Sequence, residues 1–228
     1  NRHFVLDKLQ VWKEVLRDPE NIDIFKRHYR MQNSAKISET AYITWNMFSE
    51  MLDGDSFYHY AALGRQEWGH DDQILSPRKL TDYAIDLLRR EDPERTIIHY
   101  MQPHTPFRDS DGTDVPGSVW DRIQRGEKNY HVAWEEYKEN LRWVLDDVEL
   151  LLENVDADKV VISSDHGNAI GEWGCYGHRP YVPVEAVKRV PWVETTAADQ
   201  GTYEPEVQEL SDADEDEIQE RLEALGYK

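Results

Sequence analysis

The hydrophobic pattern of this chain changes period several times, and each change marks an element. From His3 to Met31 the helix-forming stretch carries apolar residues at helical spacing: Leu6, Leu9, Val11, Trp12, Val15 and Leu16, then Ile22, Ile24, Phe25 and Tyr29. Asp18-Pro19 breaks that run into two short helices. Thr40 to Trp45 is dense in β-branched and aromatic residues and predicts a strand. Residues 46–72 are aromatic and irregular, which predicts a loop with short helical pieces. Ser76-Pro77 opens a helix with Leu80, Tyr83, Ala84, Leu87 and Leu88 on one face. Thr96 to Met101 predicts the next strand. It ends at Gln102-Pro103-His104-Thr105-Pro106, where a proline on each side stiffens the turn around His104. Residues 108–127 predict a polar loop.

From Tyr130 a long helix follows, with Trp134, Tyr137, Leu141, Val144, Leu145, Val148, Leu151, Leu152 and Val155 in a 3.6-residue period. Ala157-Asp158-Lys159 turns the chain into the strand Val160 to Ser164. Its run Val160-Val161-Ile162 is continuous rather than alternating, as expected of a strand covered on both faces. A strand, a long helix and another strand predict a crossover with the two strands parallel in one sheet. Val190-Pro191-Trp192-Val193 predicts an edge strand, where proline is tolerated. Ser211 and Asp214 open a last helix whose stripe is Ile218, Leu222 and Leu225, and Gly226 ends it. The expectation is an α/β fold, a mostly parallel sheet flanked by helices. A helical segment over 1–39 precedes an α/β core over 40–198, and an acidic tail with a short helix closes the chain over 199–228. There is no internal repeat.

Charge narrows the partners. The 46 acidic residues outnumber the 26 basic ones, for a net charge of -20. Such a surface repels nucleic acid and anionic lipid. The last thirty residues hold 11 acids and 2 bases, but the acidic excess persists upstream. A globally acidic surface fits a high-salt cytoplasm, where bulk salt screens its self-repulsion. The single Cys175 excludes an internal disulfide and fits a reducing compartment. No apolar run is long enough to cross a bilayer, and no signal segment opens the chain. The chain opens on Asn1 rather than Met, so residues upstream of it are expected.

The candidate chemistry gathers where predicted strands end. Asp165-His166-Gly167 follows the apolar run 160–164, and Gly167 is expected to let the backbone turn sharply. A carboxylate beside an imidazole suits a divalent cation. His104 follows the strand 96–101, and the loop Gly171-Glu172-Trp173-Gly174-Cys175-Tyr176-Gly177 leads to His178 and Arg179. Parallel strands place their following loops on one edge, so three histidines and Asp165 are expected to share a cleft. Arg179 could hold an anion bidentately. The plainer alternatives are a helix-capping Asp165, a turn-bonded His104, a surface His178, a solvated Glu172, and Trp173 and Trp192 used in packing. His70-Asp71-Asp72 reads as solvated, His99 as a satisfied sheet histidine, and His3, His28, His59 and His131 carry no signal.

Val160-Val-Ile-Ser-Ser-Asp165-His166-Gly167 followed by Gly171-Glu-Trp-Gly174 resembles the second metal-binding motif of the sulfatase and alkaline phosphatase superfamily. His99-Tyr-Met-Gln-Pro-His104-Thr-Pro-Phe107 looks like that superfamily's Pro-His-x-Pro loop. The ending Arg221-Leu-Glu-Ala-Leu-Gly-Tyr227 resembles sulfatase-like proteins of salt-loving archaea. The resemblance spans roughly Thr40 to Lys228. It implies an alkaline phosphatase-like sheet and a metal-dependent hydrolase or transferase of phosphate or sulfate esters, small or on a glycan. It implies Asp165 and His166 as ligands of manganese, zinc, calcium or magnesium. His104 is implied as a contact to the ester's oxygens, and His178 as a second contact or ligand. The family's first strand, with its acidic ligands and the nucleophile after it, has no counterpart before Thr40. Cys175 lies in the wrong place for the modified cysteine of sulfatases. Two alternatives follow: an N-terminal part lies outside this chain, or the chain is a non-catalytic relative that binds anions or serves as a scaffold.

Overall fold

Strand β1 (Thr40–Thr44) lies between β2 (His59–Ala62) and β3 (Arg95–His99) in a three-stranded sheet. Tyr58 N donates to Thr40 O and Leu63 N to Thr44 O; Arg95 N donates to Glu39 O and Trp45 N to His99 O. Partner numbers rise together on both sides of β1, so the sheet is parallel. The computed structural model describes residues 36–46, 49, 52–63, 76–108, 119–178 and 184–207. The helices expected over 3–31 and 211–226, His70-Asp71-Asp72 and Arg179 lie outside the described residues. The chain divides into two compact units.

In the first unit, residues 36–42, 53–60 and 93–97, an aromatic trio stands in for a larger core. The Phe57 ring lies 5.4 Å from Tyr60 and 5.7 Å from Tyr42. Arg95 bridges Glu39 and Glu94 at the surface. Residues 46–72 were expected to be loop with helical pieces. Among the described residues of this stretch are a turn of 3-10 helix, Gly54–Ser56, and the short β2, whose four residues carry too little pattern to read.

The second unit holds the long elements. Helix α1 (Pro77–Arg90) starts where the sequence places it, with Ser76 extended before Pro77, and buries Leu80, Ala84, Ile85 and Leu87. Helix α2 (Val119–Gln124) arises inside the expected polar loop, because Val119, Trp120 and Ile123 supply a buried face. Helix α3 (Tyr130–Leu152) is capped by Asn129, whose side chain accepts from His131 N at 2.8 Å. Its buried stripe is Ala133, Asn140, Val144, Asp147 and Leu151, so two polar residues sit where the apolar count placed none. Leu141 and Leu145 face outward instead. Asp147 is satisfied by Arg78 of α1 at 2.6 Å. Arg89 of α1 holds the 199–203 segment through both Asp199 oxygens (2.8 and 2.9 Å), the Tyr203 carbonyl (2.8 Å) and Asn154 (3.1 Å).

Strand β4 (Ala157–Ser163) pairs antiparallel with β7 (Trp192–Ala197), setting Ile162 opposite Val193 and Ser163 opposite Trp192. The edge strand expected at 190–193 therefore exists and begins one residue after Pro191. Two expectations give way here. Among the described residues β4 and β3 belong to different sheets, so the crossover does not make them partners. Nor is β4 covered on both faces, with Val161 37% exposed. A continuous apolar run records a strand's affinity for cover, and β7 supplies only one hydrogen-bonded edge. Strands β5 (Ala169–Ile170) and β6 (Tyr176–Gly177) form a small hairpin. It rests with Tyr137 on a cluster of Phe107, Val119, Trp120, Ile123 and Ala133. The short helix α4 (Glu185–Lys188) completes the unit. No helix among the described residues is long and apolar enough to cross a membrane.

Candidate functional site: imidazoles beside Asp165

Phe107, fully buried, fixes one side of the site. Its ring meets Trp120 and Tyr137 edge to face, at 6.4 and 6.1 Å. That anchor ends the Pro103–Pro106 turn, in which both X-Pro peptides are cis and His104 N donates to Met101 O at 2.9 Å. Asn140 clamps the same turn from α3. Its amide nitrogen reaches the His104 and Pro106 carbonyls, both at 3.3 Å, and its oxygen accepts from Arg108 N at 2.9 Å. A buried side-chain amide at the middle of a helix thus satisfies three backbone groups of a loop that cannot satisfy itself.

Gly167 fixes the other side. Its need is room rather than a special φ: a β-carbon there would lie 2.1 Å from the Ala186 carbonyl oxygen. Gly167 N donates to Val187 O at 2.9 Å, so the loop after β4 lies directly on α4. The sequence reading of a sharp turn is replaced by a close approach of two backbones.

These supports bring His104, His166 and His178 together. The His166 and His178 rings are 4.1 Å apart and the His104 and His178 rings 5.6 Å. His104 Nδ1 donates to the Thr105 carbonyl at 2.7 Å, and His166 Nδ1 to the Gly167 carbonyl at 3.1 Å. His178 Nδ1 lies 2.7 Å from Asn168 Oδ1. Carbonyl oxygens only accept, so each Nδ1 carries a proton, and on a neutral ring that leaves Nε2 with a lone pair. Burial, reinforced by the neighbouring His166, holds His104 below the usual histidine range. Burial, then His166 and His104, pushes His178 down to about 4. Both therefore stay neutral at pH 7.

Asp165 stands at the water side, its side chain 59% exposed, with Oδ2 3.7 Å from His166 Nε2. Its Oδ1 accepts from His166 N at 2.9 Å. His99, read as a plain sheet histidine, belongs to this neighbourhood. Burial lowers its pKa, while the charge of Asp165 acts to raise it and His166 to lower it. Asn168 and Tyr137 form a second layer: Asn168 is hydrogen-bonded to Tyr137 as well as to His178. Sequence reasoning missed Asn140 and Asn168, while His99 lies in β3 as the sheet histidine expected. A polar residue seven positions after Ala133 and seven before Asp147 was the signal available for Asn140.

Glu172 does not join the cluster. Its carboxylate accepts from Ile170 N at 2.5 Å and closes the hairpin instead. Trp173 and Trp192 do not pack: they are 94% and 67% exposed. Among the described residues, no three His, Cys, Asp or Glu are arranged to hold a metal ion. The donors still have the right chemistry for one, namely lone-pair Nε2 atoms beside an exposed carboxylate. No protein-family model and no curated protein matches this chain.

Proposed function

We propose that this chain carries the cation-and-ester side of a hydrolase or transferase acting on phosphate or sulfate esters, within an alkaline phosphatase-like sheet. One observation carries the reading: three imidazoles, all with Nδ1 committed to acceptor oxygens, stand together beside Asp165. Asp165 and His166 are the ligands of a divalent cation in this reading. That cation, when bound, polarises the ester and offsets charge developing on its oxygens.

The chain's own groups then divide the remaining work. A neutral imidazole with its lone pair forward cannot donate to a bare oxyanion; it accepts from a hydroxyl or coordinates a cation. His178, beside His166, is placed for the cation. His104 is placed to accept from the hydroxyl of a water or of the ester's alcohol. Arg179, next in sequence to His178, is the positive group for the anion itself. The setting that fits the charge and the lone cysteine is a salt-rich, reducing cytoplasm.

The test is release of inorganic phosphate or sulfate from p-nitrophenyl phosphate and p-nitrophenyl sulfate by the full chain, with manganese, in high salt. His166→Ala and Asp165→Asn are expected to abolish metal-dependent turnover. Unchanged turnover in His166→Ala would end the assignment. The second reading is binding without turnover, favoured by the finding that, among the described residues, no three His, Cys, Asp or Glu are arranged to hold a metal ion. It predicts that the anion binds in wild type with no product released.

A further inference from the structure

His178 differs from the other two imidazoles in what holds its Nδ1. His104 and His166 bond to the backbone carbonyls of Thr105 and Gly167, which can only accept. His178 bonds instead to a side-chain amide, that of Asn168, at 2.7 Å. An amide has two ends. Its oxygen accepts and keeps the proton on Nδ1, whereas its NH2 donates and would drive the proton to Nε2. The end that faces the ring therefore decides which nitrogen of a neutral His178 keeps a lone pair.

The fold selects that end. Ala169 pairs with Gly177 and Ile170 with Tyr176, so the next position of the ladder sets Asn168 opposite His178. Gly177 seats this step on the aromatic cluster: its φ is +72°, and a β-carbon there would lie 3.0 Å from Trp120 Cδ1. The amide's second partner is Tyr137 of α3. Burial raises the Tyr137 phenol above its usual value, and the Asn168 bond opposes that rise. A bond that favours the phenolate is one in which the phenol oxygen accepts. The Asn168 NH2 is thus turned to Tyr137 and its oxygen to His178. The Tyr137 ring is itself held, stacked on Trp134 at 5.6 Å and edge to face with Trp120 and Phe107 at 6.0 and 6.1 Å.

Resting on the ester reading above, we infer that Asn168, oriented by Tyr137, is a positioning residue that fixes the His178 tautomer and leaves its Nε2 lone pair for the cation. Without that acceptor the ring is free to carry its proton on Nε2, the form an imidazole favours in water, and such a nitrogen cannot coordinate a cation. Control of the site runs from the aromatic cluster through one phenol and one amide to one imidazole.

The test reads the tautomer directly, by long-range proton–nitrogen NMR of the full chain in high KCl and mildly alkaline buffer, without metal. Wild-type His178 is expected with its proton on Nδ1 alone. Asn168→Leu, similar in size and without an acceptor, should move most of it to Nε2. Asn168→Asp keeps an acceptor in place and should keep the proton on Nδ1. Tyr137→Phe retains the ring and its stacking, so the fold persists while the amide is free to turn, and His178 should show both forms. His104 and His166 should be unchanged in all three variants. Calorimetry with manganese alone reads the consequence: binding about tenfold weaker or more in Asn168→Leu, and no weaker than wild type in Asn168→Asp. His178 remaining wholly protonated on Nδ1 in either Asn168→Leu or Tyr137→Phe overturns the inference and leaves the ester reading intact. A tautomer switch that leaves manganese affinity unchanged does the same. Failure of wild type to bind manganese removes the ester reading, and this inference with it.

Discussion

The turn carrying His104 and the hairpin carrying His178 bring their rings within 5.6 Å of each other, but they are built in opposite ways. The turn is held from outside. Phe107 is buried beneath it, and Asn140 of a neighbouring helix satisfies three of its backbone groups. The hairpin is held mostly by itself, through bonds among residues 170–175, and it lifts an unsupported indole into water. The difference shows one demand on a site. The wall held from outside must not move, because it orients an imidazole through a single carbonyl bond.

Substitutions can break that contrast. Phe107→Ala should be the most damaging, costing about 3–5 kcal/mol of stability in urea unfolding, since the ring is fully buried among aromatic partners. Asn140→Ala should cost about 2–3 kcal/mol by leaving backbone groups of the turn without partners, and it should alter the His104 ring signals in NMR before those of His131. Gly167→Ala should cost about 1–3 kcal/mol, because the Ala186 carbonyl must move to admit a methyl group. Trp173→Gly should do the opposite and raise stability by up to about 1 kcal/mol. A large loss there would mean that the hairpin tip is structural after all.

The smallest effect concerns pH, far from the histidines. The Arg89 guanidinium, then the Gly201 amide, holds Asp199 below the usual carboxylate range. The folded state therefore binds this proton less readily than the unfolded state does. The contribution is present above the unfolded value near 3.8 and is lost as pH falls through the lower folded value. Acid titration of wild type against Asp199→Asn should show the two stability curves separated by a constant gap between pH 5 and 8 and converging only below that value.

Several of these features were legible in the sequence. The Ser76-Pro77 helix start and the long helix from Tyr130 follow from local chemistry that tertiary structure did not override. The meeting of His104, His166 and His178 was expected too, but from strands parallel in one sheet, whereas β3 and β4 belong to different sheets among the described residues. Strand partnership was not legible. Val160-Val161-Ile162 states an apolar preference that several neighbours could satisfy, and pairing with Trp192–Ala197 is a long-range choice. Asn140 and Asp147 were invisible to an apolar count because their partners lie 32 to 69 residues away. Trp173 was misread because packing is the ordinary fate of tryptophan, and only coordinates reveal a left-handed backbone.

The account stands on one cation held by Asp165 and His166, with the His178 and His104 rings close enough to respond to it. Long-range proton–nitrogen NMR of the full chain, titrated with substoichiometric manganese in high KCl, tests this directly. The prediction is that the Nε2 signals of these three residues broaden together, at one concentration, while His59 and His131 keep theirs. Broadening of His131 at the same concentration as His166, or a response of His166 without His178, would contradict a shared site.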